Sequence, residues 1–360
     1  MGRTPDRRAV VTYRMSRRAL LRDGMLASGL MLGAPLLAAC GNGNTPAKAG
    51  AIGAGSLRLP WVENVEFAGS YIADTNGYYK AAGFSSVTLI SGGPTATPVE
   101  TDLVAGKALF GISSPDLAAS AVVRGGAGIK IIGAQFQKNP FAMLSMAAKP
   151  IRTPQDMIGK KIGVQALNES LWAAFLKANH INPNSVTKVP VQLDPLPLTT
   201  GVVDGWVAYI TNEPIILRSK GFKVETFLFA DHGYPLVGDV YEASDKTIKE
   251  RRDVVKAFLR AQIRGWQKAL ADSALGARLA VEKYGKNLGL TVAEQTQESD
   301  AQNTLVQTDD TKKNGLFTMT PELIAENIAT LKLGGTNVTA AQLFDLSILT
   351  EVYQENPSLV

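Results

Sequence analysis

The sequence predicts a two-lobed α/β protein with a helical C-terminal part, on three observations. Short runs rich in β-branched residues alternate with helical stretches from Leu57 to Ala147, the alternation restarts after Lys149-Pro150, and from Lys246 onward the pattern is almost wholly helical. Such alternation argues for mostly parallel sheets covered by helices on both faces. A chain of 360 residues can bury two cores of this kind, and 45% hydrophobic with 19% charged residues is an ordinary globular balance.

The first element is a leader. An Arg-rich start, an apolar run from Met25 to Ala39 and the small-residue ending Leu37-Ala38-Ala39-Cys40 read as an export signal over residues 1–39. The run is short for a bilayer and is interrupted by Gly29, Gly33 and Pro35, so it reads as a signal and not as a membrane span. Its end resembles the lipobox of bacterial lipoproteins, which makes Cys40 the expected site of lipidation. Upstream, Ser16-Arg17-Arg18-Ala19-Leu20-Leu21-Arg22 resembles a twin-arginine export motif, with a generic basic start as the alternative. A diacylated Cys40 supplies two chains, enough for a stable anchor. Residues 41–56 follow as a flexible Gly-, Asn- and Ala-rich tether that builds no core.

The first lobe is expected over residues 57–148. Its strands are Leu57–Trp61, Val87–Ser91, Leu109–Ser113, Ile129–Ala134 and Met143–Ala147, and its helices are Glu66–Ala82, Thr97–Ala105 and Leu117–Val123. The second lobe, residues 149–240, carries strands Lys161–Val164, Thr187–Val191, Gly205–Ile210, Val224–Phe229 and Val237–Glu242 around helices Pro154–Ile158, Ser170–Asn179 and Pro214–Lys220. Residues 241–360 return to the first lobe. They add helices Ile248–Ala271, Ala274–Tyr284, Val292–Val306, Pro321–Leu331 and Ala340–Tyr353. In Ile248–Ala271, Val254, Val255, Phe258, Leu259, Ile263 and Trp266 form the face that must be buried.

Charge and composition exclude several functions. The seven Arg of residues 1–39 against Asp6 and Asp23 account for the whole formal charge of +5, so the body is close to neutral and gives no basis for nucleic-acid binding. Cys40 is the only cysteine, and His180 and His232 are the only histidines. No intramolecular disulfide or Cys-based metal site is possible, and no catalytic triad or transition-metal cluster is expected.

Motifs spread along the body resemble the solute-binding lipoproteins of ABC importers. They are Trp61-x-x-Asn64, Phe67-Ala68-Gly69-x-Tyr71-x-Ala73, Gly77-Tyr78-Tyr79-x-x-x-Gly83-Phe84, Gly92-Gly93, Gly111-Ile112-Ser113-Ser114, Thr153-Pro154-x-Asp156-x-x-Gly159-Lys160-Lys161-Ile162-Gly163-Val164 and Thr211-Asn212-Glu213-Pro214. More narrowly, they resemble the branch that includes binding proteins for thiamine pyrimidine precursors and the yeast pyrimidine synthase, with relatives for nitrate, sulfonates, taurine or riboflavin. The resemblance implies a type II periplasmic-binding-protein fold. Two lobes are joined by two crossovers, here near Met146–Ile151 and Gly238–Ser244, and the helical tail packs on the first lobe. It also implies a non-catalytic role and no cofactor. The implied partners are a small-molecule ligand, a permease and its ATPase, with the body lipid-anchored at the outer face of the cell membrane. The synthase's substrate histidine is replaced by Phe67 and its cysteine-rich motif is absent, which argues against an exported synthase-like enzyme.

The residues themselves place candidate ligand contacts at strand ends and helix starts, where backbone N–H groups face a crevice. On the first lobe these are Trp61, Asn64, Glu66 and Phe67, then Ser113, Ser114 and Asp116, then Phe136 and Asn139. On the second lobe they are Asn168 and Glu169, then Tyr209, Asn212 and Glu213. Four carboxylates without a Lys or Arg suit an aromatic heterocycle bearing N–H donors, an aminopyrimidine first and a flavin second, better than an anion. For Asn64 and Asn212 the competing reading is a helix cap, and for Trp61 and Phe67 a place in the core.

Overall fold

The computed structural model describes residues 51–360. The export signal, Cys40 and all but the end of the tether lie outside the described residues. Ten strands form two five-stranded sheets. The first runs in the order β2 (Phe84–Ile90), β1 (Gly53–Arg58), β3 (Phe110–Ser113), β10 (Gly238–Ser244), β4 (Ile129–Phe136). The second runs β7 (Thr187–Val191), β6 (Lys161–Gln165), β8 (Gly205–Tyr209), β5 (Phe141–Met146), β9 (Val224–Leu228). In each sheet the fourth strand is antiparallel to both its neighbours, β10 against β3 and β4 and β5 against β8 and β9, while the observed first three pair in parallel. In each case the antiparallel strand is the first one laid down after the chain arrives from the other sheet.

This topology moves both crossovers. β5 belongs to the second sheet, so the chain passes between the sheets over residues 137–140 and not at Met146–Ile151. It returns over residues 229–237, and Gly238–Ser244 is already a strand of the first sheet. Lys149-Pro150 interrupts the pattern only as the turn from β5 to β6. The Asn139 backbone N–H donates to the Leu236 carbonyl at 2.8 Å, tying the two passages together, and the Asn139 side chain accepts from the Phe141 N–H at 2.8 Å.

Three expected helices are broken. Glu66–Ala82 is a 3-10 turn Val65–Phe67, a helix Ala68–Thr75 and a short helix Tyr78–Ala81, separated where Gly77 takes a left-handed φ of 70°. Ile248–Ala271 starts earlier and is interrupted at Arg251, giving Asp245–Glu250 and Arg252–Ala271. Ala340–Tyr353 is likewise two pieces, Ala340–Leu343 and Ser347–Glu355.

The first core packs Leu57, Phe110 and Tyr241 of the sheet against Phe258, Ile263 and Trp266 of the helix Arg252–Ala271, with Phe110 and Phe258 stacked at 3.9 Å. That helix lies so close to Ala68–Thr75 that a Cβ on Gly265 would stand 2.0 Å from the Gly69 carbonyl oxygen. Two tail helices also reach the second lobe: Val292–Val306 touches Glu213–Ser219, and Pro321–Leu333 packs on both Pro115–Gly125 and Glu169–Ala178.

Candidate ligand-binding site

Strand ends of both sheets open into one cleft of about 710 Å³, its mouth included. Nine of the expected contacts line it: Trp61, Glu66, Ser113, Ser114 and Asp116 from the first lobe, and Asn168, Tyr209, Asn212 and Glu213 from the second.

On the first-lobe wall the chain leaves β1 through Pro60 and Trp61, and the tight Val65–Phe67 turn presents Glu66 to the cleft. Asn64 caps this turn, its side chain accepting from the Glu66 N–H at 3.1 Å, and its carbonyl accepts from the Tyr71 hydroxyl at 2.8 Å. Tyr71 in turn stacks on Tyr284 at 4.1 Å. Two glutamines of the helix Val292–Val306 hold the same turn from behind. The Gln295 side chain accepts from the Val65 N–H at 2.7 Å, and Gln302 donates to the Val65 carbonyl at 2.9 Å.

On the second-lobe wall Glu213 opens its own helix and folds back on the preceding strand, accepting from the Tyr209 N–H at 2.9 Å and from Gln165 Nε2 at 3.3 Å. Asn168 donates to Gln165 Oε1 at 2.8 Å, completing a short polar row. Asn212 precedes this helix without a side-chain capping bond, so its amide stays with the cleft.

The other five expected contacts stand elsewhere. Phe67 is fully buried in the first core, edge-on to Tyr71, and Phe136 is buried in the same core. Asn64 and Asn139 are spent on the backbone as described. Glu169 pairs with Lys188 on the surface and lines a neighbouring cavity. A strand-end position alone does not say whether a side chain faces ligand or core; the 3-10 turn sends Glu66 one way and Phe67 the other.

The structure adds contacts that the sequence reading missed, chiefly Asp239, Gln165, Phe141 and the apolar Leu117, Leu167, Leu171 and Val207. Asp239 stands at the start of β10 with a left-handed φ of 46°, a conformation Asp tolerates better than branched residues do. Its Oδ2 accepts from Gln135 Nε2 at 3.0 Å, and the same amide donates to the Glu66 carbonyl at 3.1 Å. The one signal in sequence was a lone carboxylate inside Leu236-Val237-Gly238-Asp239-Val240.

Glu66, Asp116, Glu213 and Asp239 therefore share one cavity, and among the described residues no Lys or Arg lines it. The buried Arg58 is paired with Asp102 at 3.2 Å. Burial raises Glu66 well above the usual carboxylate range, and the charge on Asp239 raises it further. Burial pushes Glu213 up to about 7, against the bonds it accepts from the backbone. Asp116 is raised by the same cause. Such a site holds protons in the absence of ligand and favours a guest that brings hydrogen-bond donors or positive charge. Trp61, Phe141 and Tyr209 supply aromatic surface beside the carboxyl groups, with Phe141 and Tyr209 edge-to-face at 4.6 Å.

Comparison with known proteins gives matches along the same body. The family model described as NMT1/THI5 like matches residues 64–274. The riboflavin-binding protein RibY of Chloroflexus aurantiacus is 26% identical over 227 residues, covering 60% of this chain and 62% of that relative's length. Among solved structures, the ligand-binding component of an ABC-type import system from Staphylococcus aureus superposes with a TM-score of 0.63 at 12% identity, over 83% of this chain and 98% of that one. The periplasmic aliphatic sulphonate-binding protein of Escherichia coli gives 0.59 at 16% identity, over 81% and 91%. At these identities the structures establish a shared fold.

Proposed function

The chain belongs to the NMT1/THI5-like family, and from that premise we propose that it is the extracytoplasmic substrate-binding component of an ABC importer, capturing a flat nitrogen heterocycle that presents N–H groups to the cleft. The observation that carries this reading is the set of four carboxyl groups facing aromatic surface with no Lys or Arg among the described lining residues. An aromatic ring stacks on Trp61 while its amine or imide edge donates to Glu213, Glu66 or Asp239. Nitrate or a sulfonate would meet carboxyl groups where it needs cations or unpaired N–H donors. An aminopyrimidine is the first candidate. A flavin ring is the second, favoured by the riboflavin-binding relative.

In this reading the protein binds and releases without chemistry. His180 and His232 are not among the cleft residues. Closure of the lobes reports occupancy to a permease with its ATPase. Export by the leader and lipidation of Cys40 keep the body at the outer membrane face.

The test is a thermal-shift panel on the purified chain with an aminopyrimidine thiamine precursor, thiamine, riboflavin, nitrate, taurine and an alkanesulfonate. A ligand at a hundred times its Kd adds about 2.7 kcal/mol, an upward shift in Tm of about 5 °C. A shift with a heterocycle, abolished by Trp61→Ala or Glu213→Ala, is the expected result. A shift with the anions alone overturns it.

A further inference from the structure

Asp116 borders two cavities. One is the cleft; the other, of about 680 Å³ with its mouth included, lies along the helix Pro115–Gly125 where both lobes meet the tail helix Pro321–Leu333. Asp116, Ser120 and Arg124 fall at i, i+4 and i+8 of that helix and so form one stripe leading about 12 Å away from the cleft. The facing wall carries Ser170, Tyr234, Thr336 and Glu169, whose carboxylate is paired with Lys188. The small Ala174 and Gly334 let the two walls meet at the cavity's inner end, a Cβ on Gly334 standing 3.0 Å from the Ala174 Cβ, while the exposed Ala173 borders the open part.

The chemistry of this second cavity differs from that of the first. The hydroxyls of Ser120, Ser170, Tyr234 and Thr336 and the Arg124 guanidinium line it, with Ser170 and Arg124 at its exposed end. Hydroxyls both donate and accept, Asp116 accepts, and Arg124 donates. A row of ligand hydroxyl groups satisfies all three kinds. An apolar guest would displace water from these groups without replacing its hydrogen bonds, and a phosphate would lie beside the Asp116 and Glu169 carboxyl groups. We propose that this cavity is a second subsite for a polyhydroxylated chain carried by the heterocycle in the cleft, with Asp116 at the junction of ring and chain. The proposal rests on the heterocycle reading above and adds that the ligand has two parts.

The experiment is calorimetric titration of the purified chain with riboflavin, whose ring carries a five-carbon polyol, and with lumiflavin, the same ring bearing a methyl group instead. The expected result is at least tenfold tighter binding of riboflavin. Ala173, exposed on its helix, can be enlarged with little effect on folding. Ala173→Phe fills the second cavity, removes the tenfold advantage and leaves lumiflavin affinity unchanged. Ser120→Ala, a variant that alters no packing, weakens riboflavin alone, by threefold or more. Equal affinities in the unaltered chain, or loss of both ligands alike in Ala173→Phe, overturn the subsite. Binding of an aminopyrimidine with no response to riboflavin also overturns it, while the heterocycle reading stands. Silence toward every heterocycle defeats both.

Discussion

Glu66 is held in place by residues 230 and 237 positions beyond its turn, whereas Glu213, across the cleft, is held by a backbone amide four positions before it and by Gln165. The first wall exists only once the helix Val292–Val306 has docked on the Val65–Phe67 turn. The second forms from the ends of β6 and β8 and the start of the helix Glu213–Ser219, which the same tail helix touches without supplying the bonds that hold Glu213. The difference separates stability from affinity: disturbances under the first wall reach both, and loss of a side-chain tie in the second bears more on binding than on stability.

The sharpest way to break this comparison is a close approach on each side. Gly265→Ala would place a Cβ 2.0 Å from the Gly69 carbonyl and force apart the helices beneath the Glu66 turn. About 3 kcal/mol is the expected cost, a fall in Tm of about 5–10 °C with weakened ligand binding. In the second sheet a Cβ on Gly163 meets Trp206 at 3.0 Å, a contact that gives by a small shift. Gly163→Ala is expected to cost about 1 kcal/mol. Equal losses in thermal melts of the two variants would dissolve the distinction between the walls.

Titration sharpens the comparison from the binding side. Glu213 rises from 4.5 to about 7 on folding because it is buried. Between those values the native state holds more protons than the unfolded chain, so stability falls as pH rises through this window and levels off above it. The contribution is fully present below pH 4.5 and amounts to at most about 3 kcal/mol. The unliganded chain is therefore expected to melt at a higher temperature at pH 5 than at pH 8, and Glu213→Gln to flatten part of that slope. A donor ligand needs the ionised carboxylate, so its affinity should tighten as pH rises through about 7, and Glu213→Gln should lose both that rise and 10- to 100-fold in affinity. A slope unchanged in Glu213→Gln would assign the titration to the first wall instead.

The strands were legible because β-branched runs bounded by Gly and Pro state their own limits: each expected strand overlaps an observed one, and Thr187–Val191 matches at both ends. The site was legible where a polar residue sits at a strand end, as with Ser113, Ser114 and Tyr209. It was not legible where orientation depends on a distant partner. Nothing local to Asn64-Val65-Glu66-Phe67 says that Gln295 and Gln302 will fix the turn and aim Glu66 outward. Asp239 was hidden because its left-handed backbone interrupts what reads as an apolar strand. The crossovers were misplaced because two similar breaks do different jobs: Lys149-Pro150 joins two strands of one sheet, while the equally marked Asn139-Pro140 passes between sheets, and nothing local to either says which.

The smallest expected effects come from exchanging one glutamine on each wall. Gln302→Ala removes one of two donors to the Val65 carbonyl, which keeps its bond from the Ala68 N–H, and leaves Gln295 as the remaining side-chain tie between the tail helix and the turn. A cost of about 1 kcal/mol follows, with affinity falling in parallel because the turn that aims Glu66 loses one of its two ties to the tail helix. Gln165→Ala removes a longer bond of 3.3 Å to Glu213, which keeps its bond from the Tyr209 N–H. That variant should lose less than about 1 kcal/mol of stability and only a few-fold in affinity. The informative quantity is the ratio of the two effects within each variant, measured by thermal melts and ligand titration on the same preparation. Stability and affinity should fall together in Gln302→Ala, and affinity should fall nearly alone in Gln165→Ala. The reverse pattern would mean that the second lobe, and not the docked tail helix, sets the geometry of the cleft.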